Sequence, residues 1–468
     1  MDFRMTAEQI QSQAKEGKIK ITIVGLGQVG LPLALYFARA GVSVIAADTD
    51  EKKVNLIKRG ICPLNTDLLV RLFDQIIHSN NSLQVTSNTV EAVKSSDIHI
   101  ICVSTPLDSD KLPDLGALTA ACKAVGRGLK KGDLVILEST VYPGVTTKVV
   151  KPVLEKLSGL KAGDGFGLAY CFERIDPGNP VHRLDNIEKI ISAIDERSAE
   201  AAIAIYGMVI KAPIIRAGNF ETAEMVKLIE NTYRDVNIAF ANELAILCQR
   251  LNIDILEVLS AASTKWNFMP HIPGAGVGGT CIPVNPYYLL ECAREVGLDL
   301  KLVRQARDIN ASMPHHMVEL VKEALAKIRK PIKEAKVCIM GIAYKADIDD
   351  IRGAPAEEIA NQLKRLGVMV VCYDPWVTAV SRGMNYVSSL EEAVKDSDCV
   401  LITTDHSAFK SLDLQNITSL AHAPLAIVDG RHVLVPGEVK ALEVTYIGLG
   451  RNQDSELNIW NSGLRDED

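Results

Sequence analysis

Cys281 is the residue of this sequence best placed to form a covalent bond. It ends the segment HIPGAGVGGTC, in which Gly274, Gly276, Gly278 and Gly279 lead up to it, and Pro283 and Pro286 follow. Closely spaced glycines give a backbone that can lie against a ligand. A thiol at the end of such a loop is open to an electrophile in a way that one inside a strand is not. Cys62, Cys102, Cys248, Cys338, Cys372 and Cys399 sit in apolar patterns and read as packing residues. The ten cysteines are scattered, with no CxxC and no cluster with histidine, so no metal site is expected. Lys227 and Asn231 lie four apart in a stretch, Glu221 to Leu251, that holds neither Gly nor Pro. That spacing puts a cation and an amide on one helix face, where they either serve a site or are simply solvated. Thr105 and Thr140 follow the apolar runs DIHIICVSTP and DLVILESTVYPG. Each either touches a ligand beyond a strand end or caps the next helix. A third apolar run, GLAYCF, leads to Glu173-Arg174-Ile175-Asp176-Pro177-Gly178.

The phosphate-binding signal lies near the start. Residues 19–25 read as a buried strand running into Gly25-Leu26-Gly27-Gln28-Val29-Gly30, a GxGxxG. A helical pattern, LPLALYFARAG, and a second strand, VSVIAAD, follow, the latter ending at Asp48. Gly25 permits the tight turn, Gly27 lets the backbone approach a pyrophosphate, and Gly30 lets helix and strand pack closely. The helix start at Gln28 and Val29 offers free N–H groups and partial positive charge. Asp48 can accept from ribose hydroxyls and would repel a 2′-phosphate, so NAD is expected rather than NADP.

The elements that must hold these residues alternate strand and helix. KVCIMG (336–341), APAEEIANQLKRLG, VMVVCYDP ending at Asp374, DSDCVLITTD and LAIVDG form a second such series. Its loop Gly341-Ile342-Ala343-Tyr344-Lys345 lacks GxGxxG, so this lobe should bind something other than a second NAD. Lys345 and Arg352 are cations available to a ligand, or to Asp347, Asp349 or Asp350. The expected fold is α/β: two Rossmann-like, doubly wound lobes joined by a long central helix with an apolar stripe at Met225, Leu228, Ile229, Val236 and Phe240. The expected domains are 1–212, 213–328 and 329–468, with a polar, mobile tail from about 451. A net charge of −7 argues against a nucleic-acid partner. No apolar run approaches a membrane span, and the polar start is no secretory signal, so a cytoplasmic location is expected.

This order of parts, with GxGxGGxC and YKxDxxDxR, resembles the UDP-glucose/GDP-mannose dehydrogenase family over nearly the whole chain. ERIDPG is similar to the branch acting on UDP-N-acetylhexosamines. The resemblance implies an NAD-dependent, four-electron oxidation of a UDP-sugar C6 alcohol to the uronic acid, of the kind that feeds polysaccharide synthesis. Cys281 would form a thiohemiacetal and then a thioester. Lys227 and Asn231 would stabilise charge on the substrate oxygen. Glu173 would serve as acid/base in thioester hydrolysis, with Thr140 orienting water. Arg174, Lys345 and the glycines from Gly274 to Gly279 would hold the nucleotide sugar, and Thr105, Thr140 and Arg352 would lie near the cofactor. The long helix would form a homodimer or higher homo-oligomer. Family members commonly carry Asp four residues after the cysteine, where this chain has Asn285; they often have His before it and Arg upstream, where this chain has Thr280 and Asn267. Any base role at 285 is therefore lost or moved to Glu173. Competing readings are a UDP-glucose or GDP-mannose dehydrogenase, a two-electron hydroxyacid dehydrogenase, and a non-catalytic nucleotide-sugar sensor.

Overall fold

Runs such as LVIL and CVLI are apolar at every position because parallel strands covered on both faces have no solvent side. In the computed structural model, which describes the chain except residues 65, 80–81, 177–178, 180, 378–383 and 465–468, these runs form two sheets. The chain divides into two compact units: Met1–Glu230 with Tyr287–Leu298, and Asn231–Pro286 with the chain from Asp299 onward.

The first unit holds β1 (Lys20–Val24), β2 (Ser43–Ala47), β3 (Leu83–Thr86), β4 (Ile98–Ile101), β5 (Leu134–Leu137), β6 (Gly167–Tyr170), β7 (Lys189–Ala193) and β8 (Ile214–Arg216). Their order is β3-β2-β1-β4-β5-β6-β7-β8, parallel except where β7 runs antiparallel to β6. Ile21, Ile23, Ile98 and Ile100 pack on one face with Leu33 and Phe37; Ile101, Val135 and Leu137 pack on the other with Leu118 and Leu154. The order reverses between β1 and β4, and beyond the carboxyl ends of strands at such a point an α/β sheet leaves room for a ligand.

The second unit repeats the plan with β9 (Lys336–Met340), β10 (Met369–Tyr373), β11 (Cys399–Ile402), β12 (Ala426–Asp429) and β13 (Thr445–Gly448), all parallel, in the order β10-β9-β11-β12-β13. The expected architecture is present. The spine helix, Phe220–Leu251, runs through both units. Its stripe is not a single buried face: Leu228 is buried, but Ile229 and Phe240 are more than half exposed, in line with Tyr233, Leu247 and Leu251. Among the described residues no helix is long and apolar enough to cross a membrane.

The tail corrects the sequence reading. From 451 to 464 it is docked rather than mobile: Arg451 donates to Asp254 at 2.7 Å with both side chains buried, and Ser455, Ile459 and Leu464 are buried too. Its polarity misled because its polar groups find partners in the fold. Residues 465–468, and Pro177 and Gly178 of ERIDPG, lie outside the described residues.

Candidate active site

The glycine loop after β1 is shaped by contact on one side and open on the other. Gly25 has φ +95°, and a Cβ there would come within 2.8 Å of the Cys102 carbonyl oxygen. A Cβ on Gly30 would lie 1.8 Å from the Gly25 carbonyl oxygen, so the helix Gly30–Arg39 can start here only from glycine. A Cβ on Gly27 would meet nothing within 4 Å, which is the freedom an approaching pyrophosphate needs. The helix has no side-chain cap at Val29 and no acid in its first turn, so its amides are left for an anion. Asp48 accepts from the Leu26 amide at 2.8 Å, the Asp50 amide at 2.9 Å and Lys53 Nζ at 2.8 Å. Burial opposes its charge, but Lys53 and the two amides outweigh it and hold the carboxyl below its usual range. These residues fit NAD. Asp48→Asn removes the repulsion of a 2′-phosphate and frees Lys53 to meet it. The kcat/KM ratio of NADP to NAD is expected to rise roughly tenfold, about 1.4 kcal/mol; an unchanged ratio contradicts the assignment.

The same device recurs in the second unit in closed form. Asp374 accepts from the Ile342 and Ala343 amides at 2.7 and 2.9 Å, but His406 occupies the same oxygen at 2.9 Å. The turn is also filled: a Cβ on Gly341 would come within 2.6 Å of Thr404. An acid sealed this way has no room for a ribose, in keeping with a lobe that does not bind a second dinucleotide.

Within the first unit, Thr105 donates to the Thr140 carbonyl at 2.8 Å, tying the ends of the β4 and β5 loops, and its own carbonyl accepts from Tyr288. Thr105 therefore does not cap a helix. Lys227, on the spine helix, is buried and donates to the Glu173 carbonyl at 2.7 Å. Arg174 turns away from Glu173, pairing with Glu230 and donating to the Glu188 carbonyl at 3.0 Å. The Glu173 carboxylate faces the interior, accepting from the Arg174 and Ile175 amides at 2.8 and 2.9 Å and from Lys189 Nζ at 2.8 Å. Lys189 also donates to Glu138, beyond the end of β5. Sequence reasoning missed Lys189 and passed over Glu138; the only signal was a lysine opening the apolar strand KIISA.

Glu224, one turn before Lys227 on the spine helix, accepts from the Gly144 and Thr146 amides at 2.6 and 2.8 Å and so anchors the segment that follows Thr140. Its burial outweighs those bonds and lifts its carboxyl to about 7 from 4.5. The sign follows from linkage. A carboxyl raised on folding stabilises fully below its unfolded value, and that stability is lost as pH rises through about 7. Relative to Glu224→Gln, the wild type is expected to lose about 3 kcal/mol between about pH 5 and about pH 8. Parallel denaturant melts that keep a constant difference across that window would contradict this.

The second unit holds the other group. Cys281 is exposed, and its carbonyl accepts from the Asn285 amide at 2.9 Å at the start of the helix Asn285–Glu295. Asn285 is buried and accepts from the Asn231 side chain, so Asn231, Asn285 and Cys281 form one cluster. Two of the glycines before Cys281, Gly278 and Gly279, are demanded by the unit's own packing. A Cβ on Gly274 would lie 2.5 Å from Arg431, one on Gly278 2.6 Å from Tyr344, and one on Gly279 2.9 Å from the Tyr344 ring. Gly276 and Gly279 also have positive φ. The Gly279 amide donates to the Arg352 carbonyl at 3.0 Å, and Arg352 pairs with Asp350. The Asp350 carboxylate beside it pushes that guanidinium further up. Lys345 follows Tyr344, whose amide donates to the Asp350 carbonyl at 3.0 Å.

The sequence matches three domains of one family, the UDP-glucose/GDP-mannose dehydrogenases: the NAD binding domain over residues 19–210, the central domain over 221–312 and the UDP binding domain over 338–436. It is 38% identical over 434 residues to a UDP-N-acetyl-D-mannosamine dehydrogenase of Pyrococcus horikoshii, covering 92% of this chain and 99% of that protein. A UDP-N-acetyl-D-glucosamine 6-dehydrogenase of Pseudomonas aeruginosa is 36% identical over 420 residues, 89% of this chain and 97% of that one. The solved structure of the UDP-D-ManNAc dehydrogenase from Pyrococcus horikoshii superposes with a TM-score of 0.86 at 37% identity, covering 93% of this chain and all of that one. The chain belongs to the UDP-glucose/GDP-mannose dehydrogenase family.

Proposed function

We propose that this enzyme oxidises the C6 hydroxyl of a UDP-N-acetylhexosamine, UDP-N-acetylmannosamine above all, to the uronic acid through a thioester on Cys281. Membership of the family makes it an NAD-dependent nucleotide-sugar dehydrogenase. The observation that carries the finer reading is Cys281 itself, an exposed thiol at the end of a packed glycine loop. NAD, when bound, takes a hydride from C6 in each of the two oxidations. Cys281 adds to the aldehyde left by the first, forming a carbon–sulfur bond and an alkoxide. Lys227 and Asn231 stabilise that oxyanion by charge and hydrogen bonding. The second oxidation leaves a thioester. Water, held by Thr140, attacks it as Glu173 accepts the water proton, and carboxylate and free thiol separate. Lys345, Arg174 and the loop Gly274–Gly279 hold the UDP-sugar, and Arg352 and Thr105 serve the cofactor side.

In this reading the three segments 1–212, 213–328 and 329–468 bind cofactor, carry the reaction and bind the nucleotide. The enzyme works in the cytoplasm, where its ten free cysteines stay reduced. It is a homodimer through the spine helix. Ile229, Tyr233, Phe240, Leu247 and Leu251 recur along one exposed stripe, with Trp266 and Met269 also exposed, and an apolar surface of that kind calls for a partner. The test is NADH formation with UDP-N-acetylmannosamine, UDP-N-acetylglucosamine, UDP-N-acetylgalactosamine, UDP-glucose and GDP-mannose. Two NADH per UDP-N-acetylmannosamine, with the highest kcat/KM of the panel, is the expected result. One NADH per sugar removes the thioester, and a preference for UDP-glucose or GDP-mannose removes the substrate assignment.

A further inference from the structure

Lys189, Glu138 and Glu173 form a buried trio that needs a reason to exist. Lys189 Nζ donates to both carboxylates, and all three side chains are at most 5% exposed. Replacing buried ions by apolar groups of similar volume often costs nothing, so such a trio is poor evidence of a purely structural role. Its place is also telling: Glu138 and Glu173 follow the carboxyl ends of neighbouring parallel strands β5 and β6, where α/β sheets take ligands. Building on the reading of Glu173 as the hydrolytic base, we propose that Lys189 is a positioning residue for the reaction: from the first position of β7 it bridges Glu138 and Glu173 and holds Glu173 in the state and orientation that let it receive a proton from water.

The surroundings support this. Glu173 Oε2 is aimed at Lys189, and Oε1 is fixed by the Arg174 and Ile175 amides. The other groups facing the trio are Cys102, whose thiol donates to Glu138 at 3.4 Å, Cys171, and Tyr206, whose ring centroid lies 4.8 Å from Lys189 Nζ. Lys227 donates to the Glu173 backbone carbonyl and lies 5.7 Å from the Phe172 ring centroid. Burial pushes both carboxyls up. For Glu138 burial prevails and the carboxyl stays raised, while for Glu173 Lys189 and the two amides prevail and the carboxyl is lowered. With all three ionised the trio carries one negative charge. A proton taken from water by Glu173 brings it to zero, so the step ends without an uncompensated charge in the interior. Without Lys189, the two amides face the burial cost by themselves, and Glu173 protonates at higher pH and is lost as a base there.

The test uses the full-length enzyme with UDP-N-acetylmannosamine and NAD. Lys189→Met leaves two buried carboxylates without a cation and can fail to fold. The paired variant Glu138→Gln/Lys189→Met removes one acid with the base and keeps the question answerable. Lys189→Arg is the conservative rescue. The expected result for the paired variant is an acidic limb of the kcat profile moved up by at least about one pH unit, a roughly tenfold loss below the limb. KM for the sugar should change little, and Lys189→Arg should return the limb towards wild type. Independently of turnover, the infrared carboxylate band that disappears in Glu173→Gln should titrate at higher pH in the paired variant. A band that does not move overturns the proposal whatever the kinetics do. If the band moves while Glu173→Gln turns over like wild type, the Lys189–Glu173 coupling stands and the base assignment falls.

Discussion

Cys281→Ser is expected to lower uronate formation by a factor on the order of 10³ or more while leaving the fold and NAD binding intact. The thiol is exposed, so the substitution empties no core space and orphans no buried partner. What changes is nucleophilicity: at neutral pH a serine hydroxyl without a dedicated base adds to an aldehyde far more weakly than a thiolate. The first oxidation does not need the sulfur. The variant should therefore release at most about one NADH per site in a single turnover, against about two for the wild type, as a four-electron oxidation split by a covalent intermediate requires. A variant that still yields two NADH and free uronate would remove Cys281 from the mechanism.

Glu173→Gln tests the other end of the reaction. Glutamine keeps the shape and can still accept from the Arg174 and Ile175 amides, but it cannot take a proton. Lys189 then has Glu138 alone, a one-to-one pair, so the variant should fold. It should reach the acyl-enzyme at near wild-type rate, give a burst of about two NADH per site, and then turn over some 10²- to 10⁴-fold more slowly. Mass spectrometry should find the uronyl group on Cys281. With Asn285 buried against Asn231, no carboxylate stands four residues after the cysteine to substitute. Steady-state turnover at the wild-type rate, with no trapped adduct, would assign the water proton to another group.

Legibility tracked how local each constraint is. GxGxxG could be read because its turn, helix start and close packing are all imposed within one short segment. Asp48 and Cys281 stood out for the same reason. Lys189, Glu138 and Glu173 could not be read together, because they meet only through the pairing of β5, β6 and β7. The glycines before Cys281 were legible as a special loop. That Tyr344 requires Gly278 and Gly279 was not, since it lies far along the chain. The helix Lys301–Lys327 went unread because Pro314 inside it removes a hydrogen bond and argues for a break that tertiary packing overrides. The pairing of Arg174 with Glu230 was not legible either, since the two lie 56 positions apart and meet only in the fold.

The docked tail also fixes an order of events during synthesis. Asp254 caps the helix Ile255–Ala262 through one carboxylate oxygen and receives Arg451, 197 positions later, on the other. Until Arg451 has emerged from the ribosome, that carboxylate has no cation, and Ile459 and Leu464 have not yet closed over the second unit. A nascent chain halted before this point therefore holds a unit with an unfinished interior. For the same reason a purification tag belongs after residue 464, and a deletion meant to trim a loose end would instead take out part of the core.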